Sequence, residues 1–206
     1  MRRTGPADGP AVLCLSGGVK RALRGNWSAS VDWLVRDLAP RHPRLAFYEV
    51  RYRIRSWTRL QMCIEDARAA LDAVAGSPPG RRVALLGYSM GGAEAIAVAD
   101  DPAVTRVVGL APWIPDEVGV ETLAGRRVAV IHGAIDGRPF GVSPRESRRG
   151  VEWMRARGIE ASYALVGGGL HALALPGPGG RPIPLPGAAR WAALVDAVLS
   201  RFGAEA

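Results

Sequence analysis

Five consecutive residues, Gly87-Tyr88-Ser89-Met90-Gly91, hold a serine in a setting suited to attack on a carbonyl. The apolar run Val83-Ala84-Leu85-Leu86 precedes them, and the helix-compatible stretch Ala93-Glu94-Ala95-Ile96-Ala97-Val98-Ala99 follows. That pattern reads as strand, sharp turn, helix, with Ser89 at the apex. Such a turn keeps the apex residue in an unfavourable backbone conformation and lifts its hydroxyl above the sheet edge. Side chains two residues before and two after would collide, which accounts for glycine at 87 and 91. The helix N-terminus adds free N–H groups and a dipole that favour a developing negative charge.

A serine hydroxyl is a poor nucleophile until a base takes its proton and an acid orients that base. Three histidines are available, His42, His132 and His171. His42 lies between Arg41 and Pro43 and reads as a solvated residue at a helix end. His132 closes the apolar run Val128-Ala129-Val130-Ile131 and reads as packed within a strand. His171 follows Gly167-Gly168-Gly169-Leu170, on a loop after the strand-like run Ser162-Tyr163-Ala164-Leu165-Val166, and is the expected base. The expected acid is Asp136, on the loop after residues 128–131; its competitor is the pair Asp116-Glu117, on the loop after the preceding strand. Asp100 and Asp101 follow the nucleophile helix and read as caps or solvated charges. The chain order Ser89, Asp136, His171 differs from the orders used by chymotrypsin-like and subtilisin-like proteases.

Acyl chemistry also needs two donors for an oxyanion. One is the backbone N–H of Met90, directly after the nucleophile. The other is expected from Gly17 or Gly18, on the loop after the apolar run Ala11-Val12-Leu13-Cys14-Leu15. Ser16-Gly17-Gly18-Val19-Lys20 has the spacing of neither phosphate-binding glycine motif. Among the six tryptophans, Trp27, Trp57 and Trp113 fall on loops near strand C-terminal ends and are candidate walls of an apolar pocket; for Trp113 core packing is an equal alternative. Trp33, Trp153 and Trp191 fall on helices and read as packing residues.

Gly87-Tyr88-Ser89-Met90-Gly91-Gly92, His132-Gly133-Ala134-Ile135-Asp136 and Gly168-Gly169-Leu170-His171 together resemble the α/β-hydrolase superfamily, over roughly residues 11–202. The length and the short stretch 112–123, where larger relatives insert a lid, look most like the dienelactone-hydrolase-like and small carboxylesterase branches. Val50-Arg51-Tyr52-Arg53 with Trp57, and Ala111-Pro112-Trp113, are similar to uncharacterised small hydrolases of actinobacteria, a likeness that identifies no substrate. Dienelactone hydrolases proper carry cysteine where this chain has Ser89. The resemblance implies a lid-less serine hydrolase acting on a small or medium ester or thioester, with no cofactor. Acyl transfer or peptide cleavage at the same triad, and a non-catalytic ligand-binding role on the same fold, are the alternatives.

The elements that must position these residues alternate along the chain. Strands are expected near 11–15, 45–50, 83–86, 104–110, 127–131 and 159–166, and helices near 28–38, 58–74, 93–99, 144–157 and 188–202, with Ser28 or Ser30 as the first helix cap. This is an α/β chain with a mostly parallel sheet of about six strands and helices on both faces. An antiparallel hairpin at the start of the sheet is not expected: residues 1–10 read as a disordered lead, and 11–206 as one domain. Residues 176–186 are rich in proline and glycine and read as a surface linker in preference to a stiff flap.

Composition fits an ordinary globular chain of 206 residues, 48% hydrophobic and 22% charged. No apolar run reaches about 18 residues, so no membrane span is expected, and the N-terminus does not read as a signal peptide. The two cysteines, Cys14 and Cys63, read as buried thiols of a cytoplasmic protein. With three scattered histidines they form no metal-ligand pattern. The net charge of +8 comes from arginines spread along the chain, which points away from a nucleic-acid partner. Oligomeric state is not legible.

Overall fold

The computed structural model describes residues 1–21, 24–115, 118–137 and 141–205. One sheet of seven strands runs through it: β1 (Arg2–Thr4), β2 (Ala11–Leu15), β3 (Ala46–Glu49), β4 (Val83–Tyr88), β5 (Val104–Leu110), β6 (Arg127–Gly133) and β7 (Glu160–Val166), in the spatial order β1-β3-β2-β4-β5-β6-β7. Only β1 is antiparallel to its neighbour. Five helices cover the faces: α1 (Ala29–Leu38), α2 (Leu60–Ala75), α3 (Met90–Ala97), α4 (Pro144–Ala156) and α5 (Ala188–Ala204).

Alternation along the strands divides the core in two. Leu13 and Leu15 of β2 face Cys63, Ala67 and Leu71 of α2, together with α3 and α4; Val12 and Cys14 face Val31 and Leu34 of α1 and Trp191 and Val195 of α5. The α2 residues Cys63, Ala67, Leu71 and Val74 recur at helical spacing and are buried, so that stripe fixes the helix on the sheet. Deleting a fully buried leucine such as Leu71 costs about 2–5 kcal/mol.

The N-terminal lead is ordered, contrary to expectation. Arg2 reaches Glu49 of β3 with its Nε at 2.6 Å and also pairs with Asp32 of α1, so ion pairs rather than apolar side chains hold the edge strand. Residues 176–186 differ from the expected linker as well. Strands β8 (Ala174–Pro176) and β9 (Pro182–Pro184) pair as a separate antiparallel ribbon that packs on α1. Ser28 caps α1, its Oγ accepting from the Val31 N–H at 3.5 Å. His42 is buried against Asp196 at 2.7 Å, not solvated. Cys14 and Cys63 are buried free thiols. No lid is present among the described residues, and no helix is long and apolar enough to cross a membrane.

The sheet order fixes the place for chemistry. From β2 the chain moves outward to β3, whereas from β4 it moves the other way through β5, β6 and β7. The crevice outside the carboxyl ends of β2 and β4 is therefore a topological switch point, where ligands bind in open α/β sheets.

Candidate active site

Ser89 stands directly after β4 at that switch point, with φ 54° and ψ −116°, a conformation that L-residues rarely adopt. The packing that enforces it is close. A side-chain carbon on Gly87 would overlap the Gly91 carbonyl, and one on Gly91 would overlap the Leu15 carbonyl of β2. Ala111, after β5, also has positive φ, 42°, and turns the chain so that the Trp113 N–H donates to the Ser89 carbonyl at 2.9 Å. That carbonyl also accepts from the Gly92 N–H at 2.9 Å, so the strained turn is held from both sides.

The His171 Nε2 lies 3.0 Å from Ser89 Oγ, and its Nδ1 lies 2.7 Å from Asp136 Oδ2. The carboxylate accepts from Nδ1–H, which leaves Nε2 free to accept the serine proton. Two loops are tied together to make this pair. The Ala134 N–H donates to the Val166 carbonyl at 2.9 Å and the Ile135 N–H to the Gly169 carbonyl at 3.2 Å, which joins the acid loop to the histidine loop. Ser30 of α1 then pins the chain just beyond the histidine. Its Oγ accepts from the N–H groups of Leu173 at 3.1 Å and Ala174 at 3.3 Å.

His132 is packed within β6, as expected, and it also joins the acid. Its Nε2 faces Asp136 Oδ2 at 3.1 Å and the Val142 carbonyl at 2.9 Å; both partners accept only, so Nε2 carries the proton. The other ring nitrogen meets Ser147 Oγ at 2.8 Å. Burial alone would raise the Asp136 carboxyl, but the hydrogen bonds from His132 and His171, with their charge when protonated, outweigh it and hold the group below its ordinary value. The competing pair Asp116-Glu117 lies outside the described residues.

Met90 is the first residue of α3, so its N–H is one of the orphan donors of that helix. Gly17 stands beside it. A side-chain carbon there would come within 3.1 Å of Ser89 Cβ, and one on Gly18 within 2.5 Å of Met90 Sδ. Behind this loop runs a buried relay in which the Ser16 N–H donates to Tyr52 Oη at 3.2 Å and that hydroxyl donates to Glu94 Oε2 at 2.5 Å. Glu94 lies on α3 and is fully buried; burial pushes its carboxyl up to about 8.

A cavity of about 550 Å³ opens over Ser89 and His171. Trp27, Trp57, Trp113, Met90 and Val142 wall it, and Ala174 and Pro176 of the β8–β9 ribbon form one edge. Trp113 serves both roles considered for it, since it also packs against the core. The guanidinium of Arg2 stacks behind Trp27 at 4.6 Å. Arg55 lines the same cavity. Arg55, His132, Tyr52, Glu94 and Ser30 escaped the reading of the sequence as site residues. Tyr52, Glu94 and Ser30 act through contacts far apart in the chain, and although His132 meets Asp136 only four residues on, the apolar run before it marked it as buried and nothing more. Among the described residues no group of three or more His, Cys, Asp or Glu side chains converges as a metal ion would need.

No family model matches the chain, and no curated protein sequence matches it. Solved structures do. An alpha-beta serine hydrolase homologue from Coxiella burnetii superposes with a TM-score of 0.69 at 17% identity, over 96% of this chain and 89% of that one. Est1E from Butyrivibrio proteoclasticus with ferulic acid bound gives 0.69 at 12% identity, over 97% and 93%. The monoacylglycerol lipase of Paleococcus ferrophilus gives 0.64 at 13% identity, over 96% of each chain. At these identities the likeness establishes the fold.

Proposed function

We propose that this chain, which has the α/β-hydrolase fold, hydrolyses carboxylic esters or thioesters of small or medium substrates through an acyl-enzyme on Ser89. The observation that carries the reading is the continuous hydrogen-bonded line from Ser89 Oγ through His171 to Asp136, at 3.0 and 2.7 Å, on the floor of a largely apolar cavity. Esterases and a lipase among the structural neighbours support it. The two buried free thiols agree with a reducing compartment and support a cytoplasmic location.

In this reading Ser89 Oγ attacks the ester carbonyl as His171 Nε2 takes its proton. Asp136 keeps the imidazole in the required tautomer and stabilises its charged form. The N–H of Met90 and that of Gly17 or Gly18 receive the oxyanion. The carbonyl–oxygen or carbonyl–sulfur bond then breaks, and His171 gives its proton to the leaving group. Water, deprotonated by the same imidazole, attacks the acyl-enzyme, and the proton returns to Ser89 as the acid departs. His132 acts through Asp136. By donating to the oxygen that His171 also uses, it holds the carboxylate ionised and fixed in orientation.

The test is Ser89→Ala, assayed with 4-nitrophenyl esters of graded acyl length. The variant loses about 10⁴-fold or more in kcat with an unchanged melting temperature. Retained turnover would remove Ser89 from the mechanism.

A further inference from the structure

Arg55 is the one permanently charged side chain among the described residues that line the catalytic cavity. It is only 8% exposed, and its Nε is buried with no hydrogen-bond partner among the described residues. A buried Nε without a partner is shared with Arg81 and Arg106, but the rest of those guanidinium groups is bonded, Arg81 to the Tyr48 hydroxyl and the Val74 carbonyl and Arg106 to Glu205, whereas Arg55 has no hydrogen bond or ion pair to any described residue. Arg53, two residues earlier, has Asp66 and Glu65; Arg68 has Asp100. An unanswered buried guanidinium is costly, because taking a charge out of water is repaid only by a close, hydrogen-bonding counter-charge.

Glu94 is a fully buried carboxyl whose charge acts on Arg55 through space, but it makes no direct bond to the guanidinium. No ion pair joins them. One oxygen of Glu94 is taken by the Tyr52 hydroxyl, and the other has no partner. With burial holding its proton to about pH 8, Glu94 is mostly neutral at pH 7. The guanidinium itself stays charged although burial lowers its pKa, since arginine has far to fall before it deprotonates. The cavity that Ser89, Trp57, Met90 and Tyr88 line therefore also carries a guanidinium with no carboxylate partner among the described residues.

We infer that Arg55 is a specificity residue and that the substrate ester carries a carboxylate, which the guanidinium pairs with while Ser89 attacks the ester carbonyl. The fork geometry suits a planar carboxylate bound through two N–H donors. The apolar walls would exclude water and strengthen that pair. Substrates of this class are half-esters of dicarboxylic acids, with the charge in the acyl chain, or esters of carboxylated alcohols and phenols, with the charge in the leaving group. Bond making and breaking are those of ordinary ester hydrolysis. Water supplies the oxygen to the acyl carbon and one proton to the leaving oxygen, and the substrate carboxylate is not altered. The inference rests on the hydrolase reading of Ser89 and adds the charge of its substrate.

The experiment compares mono-4-nitrophenyl glutarate with 4-nitrophenyl pentanoate, and 4-carboxyphenyl butanoate with phenyl butanoate. The wild-type chain prefers the carboxylate in at least one pair by about 10- to 100-fold in kcat/KM, expressed mainly in KM. The successful pair identifies the side that carries the charge. Arg55→Gln reduces that preference by at least tenfold, and Arg55→Lys restores part of it. Free glutarate competes with the neutral ester on the wild type, a readout that stands even if a variant fails to fold. No preference in either pair, or equal losses on charged and neutral esters in Arg55→Gln, overturns the inference while leaving the hydrolase reading intact. No turnover of any ester, with no fluorophosphonate adduct on Ser89, overturns both.

Discussion

Glu94 puts a carboxyl inside the nucleophile helix with one oxygen bonded to Tyr52 and the other facing no partner, and that has a measurable consequence. The folded chain keeps its proton up to about pH 8, whereas a solvated glutamate releases it near about pH 4.3. Between these limits the folded state holds a proton that the unfolded state has lost, so the group makes stability fall as pH rises. Glu94→Gln removes that linkage. The wild-type melting temperature accordingly drops relative to the variant between about pH 5 and pH 9. Thermal melts across that range check it, and parallel curves would contradict it. The residue-scale chemistry divides by the range of its signal. Ser89, Asp136 and His171 were legible because each follows an apolar run at short distance. Glu94 was not. Its stretch reads simply as a helix, and only the central place of α3 between sheet and α2 buries a glutamate there. Arg55 was legible only as one of many arginines, since its lack of a partner is a property of the packed cavity.

The elements act by pressing loops together at the ends of β2, β4, β6 and β7, and the glycines there fill spaces too small for any side chain. Gly141 shows the tolerance. A side-chain carbon on it would overlap Asp136 Oδ1 and come within 2.7 Å of His171 Nδ1. Gly141→Ala therefore pushes the acid and base out of line, and a misplacement of about 1 Å costs on the order of 10²-fold in kcat. Steady-state kinetics with a neutral ester would reveal the loss; an unchanged kcat would show that the loop yields instead. Six parallel strands and five helices could be read from alternating apolar runs and breakers. The edge strand β1 could not, because Arg2, Arg3 and Thr4 carry no apolar signal and ion pairs to Glu49 and Asp32 hold the strand. The β8–β9 ribbon was hidden by its prolines, which read as linker. It forms because two short edge strands need few ladder bonds and rest on α1.

Across the whole molecule, 27 basic against 19 acidic residues give a net charge of +8. A minority of the arginines form ion pairs, among them Arg106 and Arg127 on Glu205 and Arg36 on Asp32. On the inference that the substrate is a carboxylate, the remaining positive field attracts it at long range and is screened by salt. For a carboxylate-bearing ester, kcat/KM falls as ionic strength rises from about 20 to 500 mM, while that of a neutral ester stays nearly flat. Identical salt dependence for the two would remove the field from the account. Ser89 as nucleophile can be tested by covalent labelling. The folded chain is treated with a fluorophosphonate, weighed intact and mapped by peptide mass. One adduct per chain is expected, on Ser89 and absent in Ser89→Ala. A folded sample with no adduct, or with the adduct on another residue, would contradict it.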